Sequence, residues 1–120
     1  MADRQLESEI KAAIRLALGG ERDLVLFENP SGVAKYPSGA TVPYGVGINH
    51  RGGSDLIGIL RAGDGRGIFL APEIKSARGR HEDEQRAFAR VVHSRGGEYA
   101  LLRSADEALA WLADLRRRHG

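Results

Sequence analysis

Apolar residues recur near the start of the chain at Leu6, Ile10, Ala13, Ile14 and Ala17, the spacing of a helix with one buried face. The pattern predicts an amphipathic helix over residues 3–18, with Asp3 able to cap its start and Gly19-Gly20 ending it. DLVLFE, residues 23–28, then reads as a short strand. The Gly/Pro-rich stretch that follows, NPSGVAKYPSGATVPYGVGINHRGG, excludes a long helix. A loop of that size in a small domain is either wrongly parsed or functional, and it is expected to hide a short strand near Gly45–Ile48 and otherwise to wrap a site. SDLIGILRA and GIFLAPEIK read as two arms of a hairpin joined through GDGRG. Residues 82–94 predict a second helix, acidic in its first turn (Glu82, Asp83, Glu84) and basic later (Arg86, Arg90), as the helix dipole prefers. Gly96-Gly97 ends it and EYALLR is a further strand. Ser104 with Glu107 makes a capping box for a last helix through Ala108, Leu109, Leu112 and Leu115. The order helix, strand, loop, hairpin, helix, strand, helix predicts one α/β domain over residues 1–120, without repeats.

Composition narrows the function classes. The 120 residues allow one modest core, and 42% hydrophobic with 28% charged residues is ordinary for a globular chain. A net charge of +2 and a pI near 9.3 permit a nucleic-acid partner without requiring one. The absence of cysteine excludes disulfides, thiol nucleophiles and cysteine-zinc sites. No apolar run approaches the roughly 20 residues that span a bilayer, so no membrane partner is expected. MADRQLESEI carries charges where a secretory signal needs an apolar run, so a cytoplasmic location is expected. His50, His81, His93 and His119 lack zinc spacing, and H-E-D-E is not H-E-x-x-H; they read as structural or surface residues. His50 stands apart because it sits in the glycine-rich loop before Asp55. No G-x-x-x-x-G-K-[ST] motif points to a nucleotide cofactor.

The chemistry concentrates at the end of GIFLAPEIK. Glu73 and Lys75 are two residues apart on a strand, so they share a face. Alone, the pair reads as a solvated ion pair at a strand end. Asp55 changes the picture, because it opens one hairpin arm while Glu73 lies late on the other, and antiparallel pairing brings those ends together. Two converging carboxylates repel, and a positive charge must offset them. Magnesium or manganese is the natural candidate, with Lys75 orienting the attacking water or stabilising charge on a phosphate. Pro72 removes a ladder hydrogen bond and predicts a bulge or exposed edge just before Glu73. Gln85, three residues before Phe88 and seven before Val92, falls on the inward face of its helix, where an amide needs polar company. A helix cap is the alternative role. Glu7, three residues before Ile10 and seven before Ile14, points inward better than Glu9, with a surface position at the stripe edge as its alternative. Arg116-Arg117-Arg118 reads as a solvated helix end.

Glu7, Gly53-Ser54-Asp55, Glu73-Ile74-Lys75 and Gln85, in that order, resemble the VRR-NUC family of the PD-(D/E)xK nuclease superfamily. The resemblance runs over nearly the whole chain, from the first helix through Arg103-Ser104 to the last helix. E-x-K alone is common by chance; with G-S-D upstream and a helical glutamine ten residues after the lysine, the set is more specific. The resemblance implies a restriction endonuclease-like core, a small mixed β-sheet flanked by helices, holding one or two divalent metals. Asp55, Glu73 and the Ile74 carbonyl would be ligands, Glu7 would complete the acidic cluster, Gln85 would orient a ligand or water, and Lys75 would position the attacking water. Members are DNA nucleases, often from phages, and stand-alone ones act on branched DNA as dimers. The expected function is therefore Mg2+- or Mn2+-dependent endonucleolytic cleavage of flapped or four-way-junction DNA by a homodimer. Arg51, Arg78, Arg80, Arg86 and Arg90 are candidate backbone clamps. The chain departs from the family pattern at Glu28-Asn29, where members tend to carry Arg-Asn, at Pro72, and at Asn49-His50-Arg51-Gly52 before the G-S-D. A non-catalytic DNA-binding or assembly domain of the same fold is the alternative, over which the intact Asp55, Glu73 and Lys75 favour the enzyme; cleavage of RNA is a further, weaker alternative that composition does not exclude.

Overall fold

Ile10, Ile14 and Leu18 form the buried stripe of α1 (Glu7–Leu18). The computed structural model describes residues 6–120, so the predicted cap at Asp3 lies outside the described residues. After α1 the chain forms β1 (Leu24–Glu28), one residue shorter than predicted. The expected strand near Gly45–Ile48 is not there. Instead the glycine-rich stretch folds into its own antiparallel hairpin, β2 (Gly32–Lys35) with β3 (Thr41–Tyr44), and Ile48 makes only an isolated bridge to Arg51. The turn chemistry explains the shift. Tyr36 N–H donates to the Ala40 carbonyl at 2.8 Å, and Gly39 N–H to the Tyr36 carbonyl at 2.9 Å. Gly39 takes φ +91°, a conformation glycine adopts at little cost.

The predicted hairpin is β4 (Leu56–Arg61) and β5 (Gly67–Ile74), followed by α2 (Asp83–Ser94), β6 (Glu98–Leu102) and α3 (Ala105–Arg118). The main sheet runs β1-β4-β5-β6, antiparallel except for the parallel β5–β6 pair. Leu56, Leu60, Ile68, Leu70 and Ile74, all at even positions, face α1 and α3 in the larger core. Ala71 faces the other way and meets Tyr99, Phe88 and Val92 beneath α2. Fully burying each large aliphatic side chain contributes roughly 1.5–3 kcal/mol. α2 packs on β5 and β6 and touches neither β4 nor β1. The result is one α/β domain, a mixed sheet flanked by helices. Ser104 Oγ accepts from Glu107 N–H at 3.1 Å as predicted, but the Glu107 carboxylate accepts from Arg103 N–H at 2.8 Å, one residue earlier than a standard capping box. Among the described residues no helix is long and apolar enough to cross a membrane.

Candidate active site at the strand fork

The β4–β5 ladder starts at Arg61↔Gly67 and stops at Gly58↔Leu70. Pro72 is the reason. Backbone bonding direction alternates along a strand, so Leu70, residue 72 and Ile74 all turn toward β4, and proline has no N–H to offer there. The Leu56 carbonyl that would have accepted it takes the Ser54 hydroxyl instead. The expectation of a bulge or exposed edge is thereby corrected. Pro72 is fully buried, stays in register with Ala100 of β6, and opens a fork between two central strands. Into that fork Ile74 N–H donates to Asp55 Oδ2 at 2.9 Å, fixing the carboxylate by a backbone bond.

Two residues that sequence reasoning passed over hold the surrounding loops. Asn29 donates through Nδ2 to the carbonyls of Val46 (3.0 Å) and Ser54 (2.9 Å), and its Oδ1 accepts from Val46 N–H at 2.9 Å. Its own N–H donates to the Asp55 carbonyl at 3.0 Å. Val46 is brought so close to Gly53 that a Cβ there would lie 1.6 Å from the Val46 carbonyl oxygen. Beyond Lys75, the Arg103 guanidinium donates to the carbonyls of Ser76 and Gly79, the latter at 2.8 Å, while Lys75 N–H donates to the Leu102 carbonyl at 3.0 Å. The strand carrying E-I-K is thus anchored on both sides of Lys75.

Glu73 and Lys75 are buried, at 3% and 9% exposure. Burial pushes the Glu73 carboxyl up to about 9, and the hydrogen bond and charge of Asp55 push the same way against Lys75 and the Ile74 N–H. Among the described residues Glu73 Oε2 is buried without a hydrogen-bond partner. An unpartnered buried acceptor costs about 1–3 kcal/mol, and a carboxylate costs more. The Tyr99 hydroxyl is also pushed up, by burial and by the Glu73 and Asp55 carboxylates, and lies 2.9 Å from His81 Nε2. Burial and the charges of Arg86, Lys75 and Arg103 pull His81 down. His81 therefore keeps the structural role expected of it, stacked on Tyr99 with centroids 5.6 Å apart.

Glu7 is exposed at the start of α1, on the edge of its stripe. With Ser8, Lys11, Asp55 and Ile74 it lines a cavity of about 170 Å³ at the open end of the fork. Its Oε1 and the Lys75 side chain both approach Gly79. Glu7, Asp55 and Ile74 are thus brought to one opening, with the buried Lys75 side chain near Glu7 at Gly79. Among the described residues no three His, Asp or Glu side chains stand together at metal-holding distance, so the acids close at hand are the Asp55–Glu73 pair. Asp55 lines the cavity, and the buried Glu73 behind it is hydrogen-bonded to Asp55 and keeps one oxygen unpartnered among the described residues. The pair is an oxygen-donor set of the kind a hard divalent cation takes.

Gln85 is half-buried as its spacing predicts, but its Oε1 accepts from Glu82 N–H at 3.0 Å and closes the first turn of α2. That is the capping alternative. Gln85→Ala is expected to lower stability by about 1 kcal/mol in urea unfolding, the usual effect of a lost cap.

Among the proposed clamps, Arg51 is exposed and 3.9 Å from Glu84. Arg86 is engaged at the start of α2 with the His81 carbonyl and Asp83. Arg78 and Arg80 are exposed on the turn after Lys75; the side chains of Arg80 and Arg90 form no hydrogen bond or ion pair among the described residues. Glu28 pairs with Lys11 (3.2 Å) and Arg15 (2.8 Å), so its carboxylate is directed at α1. His50 Nδ1 contacts the Gly45 carbonyl at 2.8 Å.

The raised Glu73 carboxyl has a consequence for stability. Its folded value lies above its ordinary one, so the folded state holds the extra proton, and stability falls as pH rises toward about 9. Without added metal, the melting temperature is expected to drop between pH 6 and pH 8, with a limiting slope of about 1.4 kcal/mol per pH unit. If the pair holds Mg2+, the metal should raise the melting temperature more at pH 8 than at pH 6, because a carboxylate must lose its proton to become a ligand. Differential scanning fluorimetry across this range checks both signs. The chain matches no protein-family model, no curated protein and no solved structure.

Proposed function

We propose that this chain is a divalent-metal-dependent DNA endonuclease with a restriction endonuclease-like core of the VRR-NUC type. The supporting observation is the fork at Pro72, where Asp55, held by the Ile74 N–H, meets a buried Glu73 with an unpartnered oxygen, and Lys75 follows on the same face. Mg2+ or Mn2+, when bound, supplies Lewis acidity at the scissile phosphate. Asp55 and Glu73, with the Ile74 carbonyl, are the groups that would hold it, and Glu7 adds negative charge across the cavity mouth. Lys75, a compact cation with three donors and no acceptor, orients the attacking water and stabilises the negative charge that builds on the phosphate oxygens. Water attacks phosphorus, and the bond to the leaving sugar oxygen breaks.

The VRR-NUC resemblance favours branched DNA as the substrate, and symmetry makes a homodimer the natural way for a small domain to grip two arms. The exposed Arg51, Arg80 and Arg90 supply salt-sensitive backbone contacts of the kind such binding needs. Labelled linear, flapped and four-way-junction DNA, with an RNA counterpart, tests the reading in Mg2+, Mn2+ and EDTA. Metal-dependent nicking that is strongest on a branched DNA is the expected result. Tight DNA binding without cutting in either metal would transfer the function to a non-catalytic binding domain.

A further inference from the structure

The sheet face that carries Ala71 is covered by α2 only over β5 and β6. On its other half Val25, Phe27, Ile59 and Phe69 stand 44%, 48%, 47% and 36% exposed. Val25 pairs with Ile59, and Ile59 with Phe69, so these three form one row across three strands. Phe27 lies two residues along β1 on the same face, roughly 10 Å across the sheet from the Phe69 strand. Each end of the row opens into a cleft. At the β1 end, Arg22, Asp23 and Arg61 join Val25 and Ile59 around about 230 Å³. At the β5 end, Val46, Phe88 and Arg95 join Phe69 around about 250 Å³.

The charges around this row are one-sided. Arg22, Arg61 and Arg95 are exposed and form no ion pair among the described residues. Among the described residues Asp23 is the one acid lining either cleft, and the Arg116 guanidinium holds both its oxygens at 2.9 and 2.7 Å. A second copy packed face to face would set these arginines against their own kind. A strand of unpaired nucleotides meets both features at once, with bases stacking on flat aromatic side chains and phosphates reaching the cations. We propose that this bare half-sheet is a platform for single-stranded nucleic acid, with Phe27 and Phe69 stacking bases and Arg22, Arg61 and Arg95 holding phosphates. Ile59 lies four residues from Asp55 on β4, roughly 13 Å, so a strand on the platform runs near the fork. Binding here needs neither the acids nor a cation, and so stands or falls separately from cleavage.

Fluorescence anisotropy of labelled dodecamers of thymidylate and of uridylate, in EDTA, tests the proposal. Phe27→Ala and Phe69→Ala are each expected to weaken binding about tenfold, the order of one lost stacked base. Arg61→Glu should weaken it and lower the salt slope by about 0.7 or more. Leu16→Ala, exposed on α1, serves as the control. Loss with either oligonucleotide supports the platform, and the ratio of the two affinities names the preferred sugar. Wild-type binding by Arg61→Glu together with both phenylalanine variants overturns it. So does a change from dimer to monomer in sedimentation of the phenylalanine double variant with oligonucleotide binding intact, because the face then joins copies. Arg61→Glu alters an exposed side chain only, so it decides the matter even if a phenylalanine variant unfolds.

Discussion

Replacing Lys75 by alanine is expected to slow phosphodiester cleavage by about 10²–10³-fold, the usual effect of removing one charge-stabilising donor from a water-poor site. Lys75 is buried at the end of β5, and its backbone N–H stays bonded to Leu102 whatever the side chain. The substitution removes a buried cation and leaves the strand anchored by Arg103 on the following turn. Asp55→Asn is the companion test. Asparagine can still accept the Ile74 N–H, so the fork keeps its shape while the carboxylate charge is lost. Single-turnover rates in Mg2+ and Mn2+, beside melting temperatures and DNA affinity, separate lost chemistry from lost folding. A Lys75→Ala protein that cuts at the wild-type rate would remove this residue from the catalytic machinery.

Gly53→Ala carries the second large effect. The added carbon would stand 1.6 Å from the Val46 carbonyl oxygen, far inside any tolerable contact. Val46 cannot simply withdraw, because both its N–H and its carbonyl are bonded to the Asn29 side chain. The loop must break those bonds or shift Ser54 and Asp55. A loss of about 3 kcal/mol in urea unfolding is expected, at the upper end for an overpacked site. Cleavage should fall with it, because Asp55 is two residues away. Gly20→Ala meets nothing within 4 Å and is expected to change stability by no more than about 0.5 kcal/mol.

The elements with a clear period were legible in the sequence. The α1 stripe, β4 and α3 bury one face each, and burial writes that period into the residues, whereas β5 alternates only at its start and is buried on both faces from Leu70 to Ile74. The β2–β3 hairpin was not legible by pattern, because every residue of both strands is exposed and no alternation is imposed. Its only signal was the turn in Tyr36-Pro37-Ser38-Gly39. The convergence of Asp55 and Glu73 followed from antiparallel geometry. The role of Pro72 did not, because nothing local reveals that β6 pairs in parallel on its far side while β4 turns away. Gln85 was placed on the correct face, but its carbonyl found a nearer partner at Glu82. Asn29 and Arg103 act on carbonyls 17 to 27 residues distant, a relation that spacing along the chain does not encode.

The measurement closest to the central claim is cleavage of a labelled four-way junction by the wild-type protein in Mg2+, Mn2+ and EDTA, beside Asp55→Asn and Lys75→Ala. The predicted result is product with either metal, none with EDTA, and little from either variant although both remain folded and bind the junction. Product that persists in EDTA, or in both variants, would contradict a metal site built from Asp55 and Glu73 and served by Lys75.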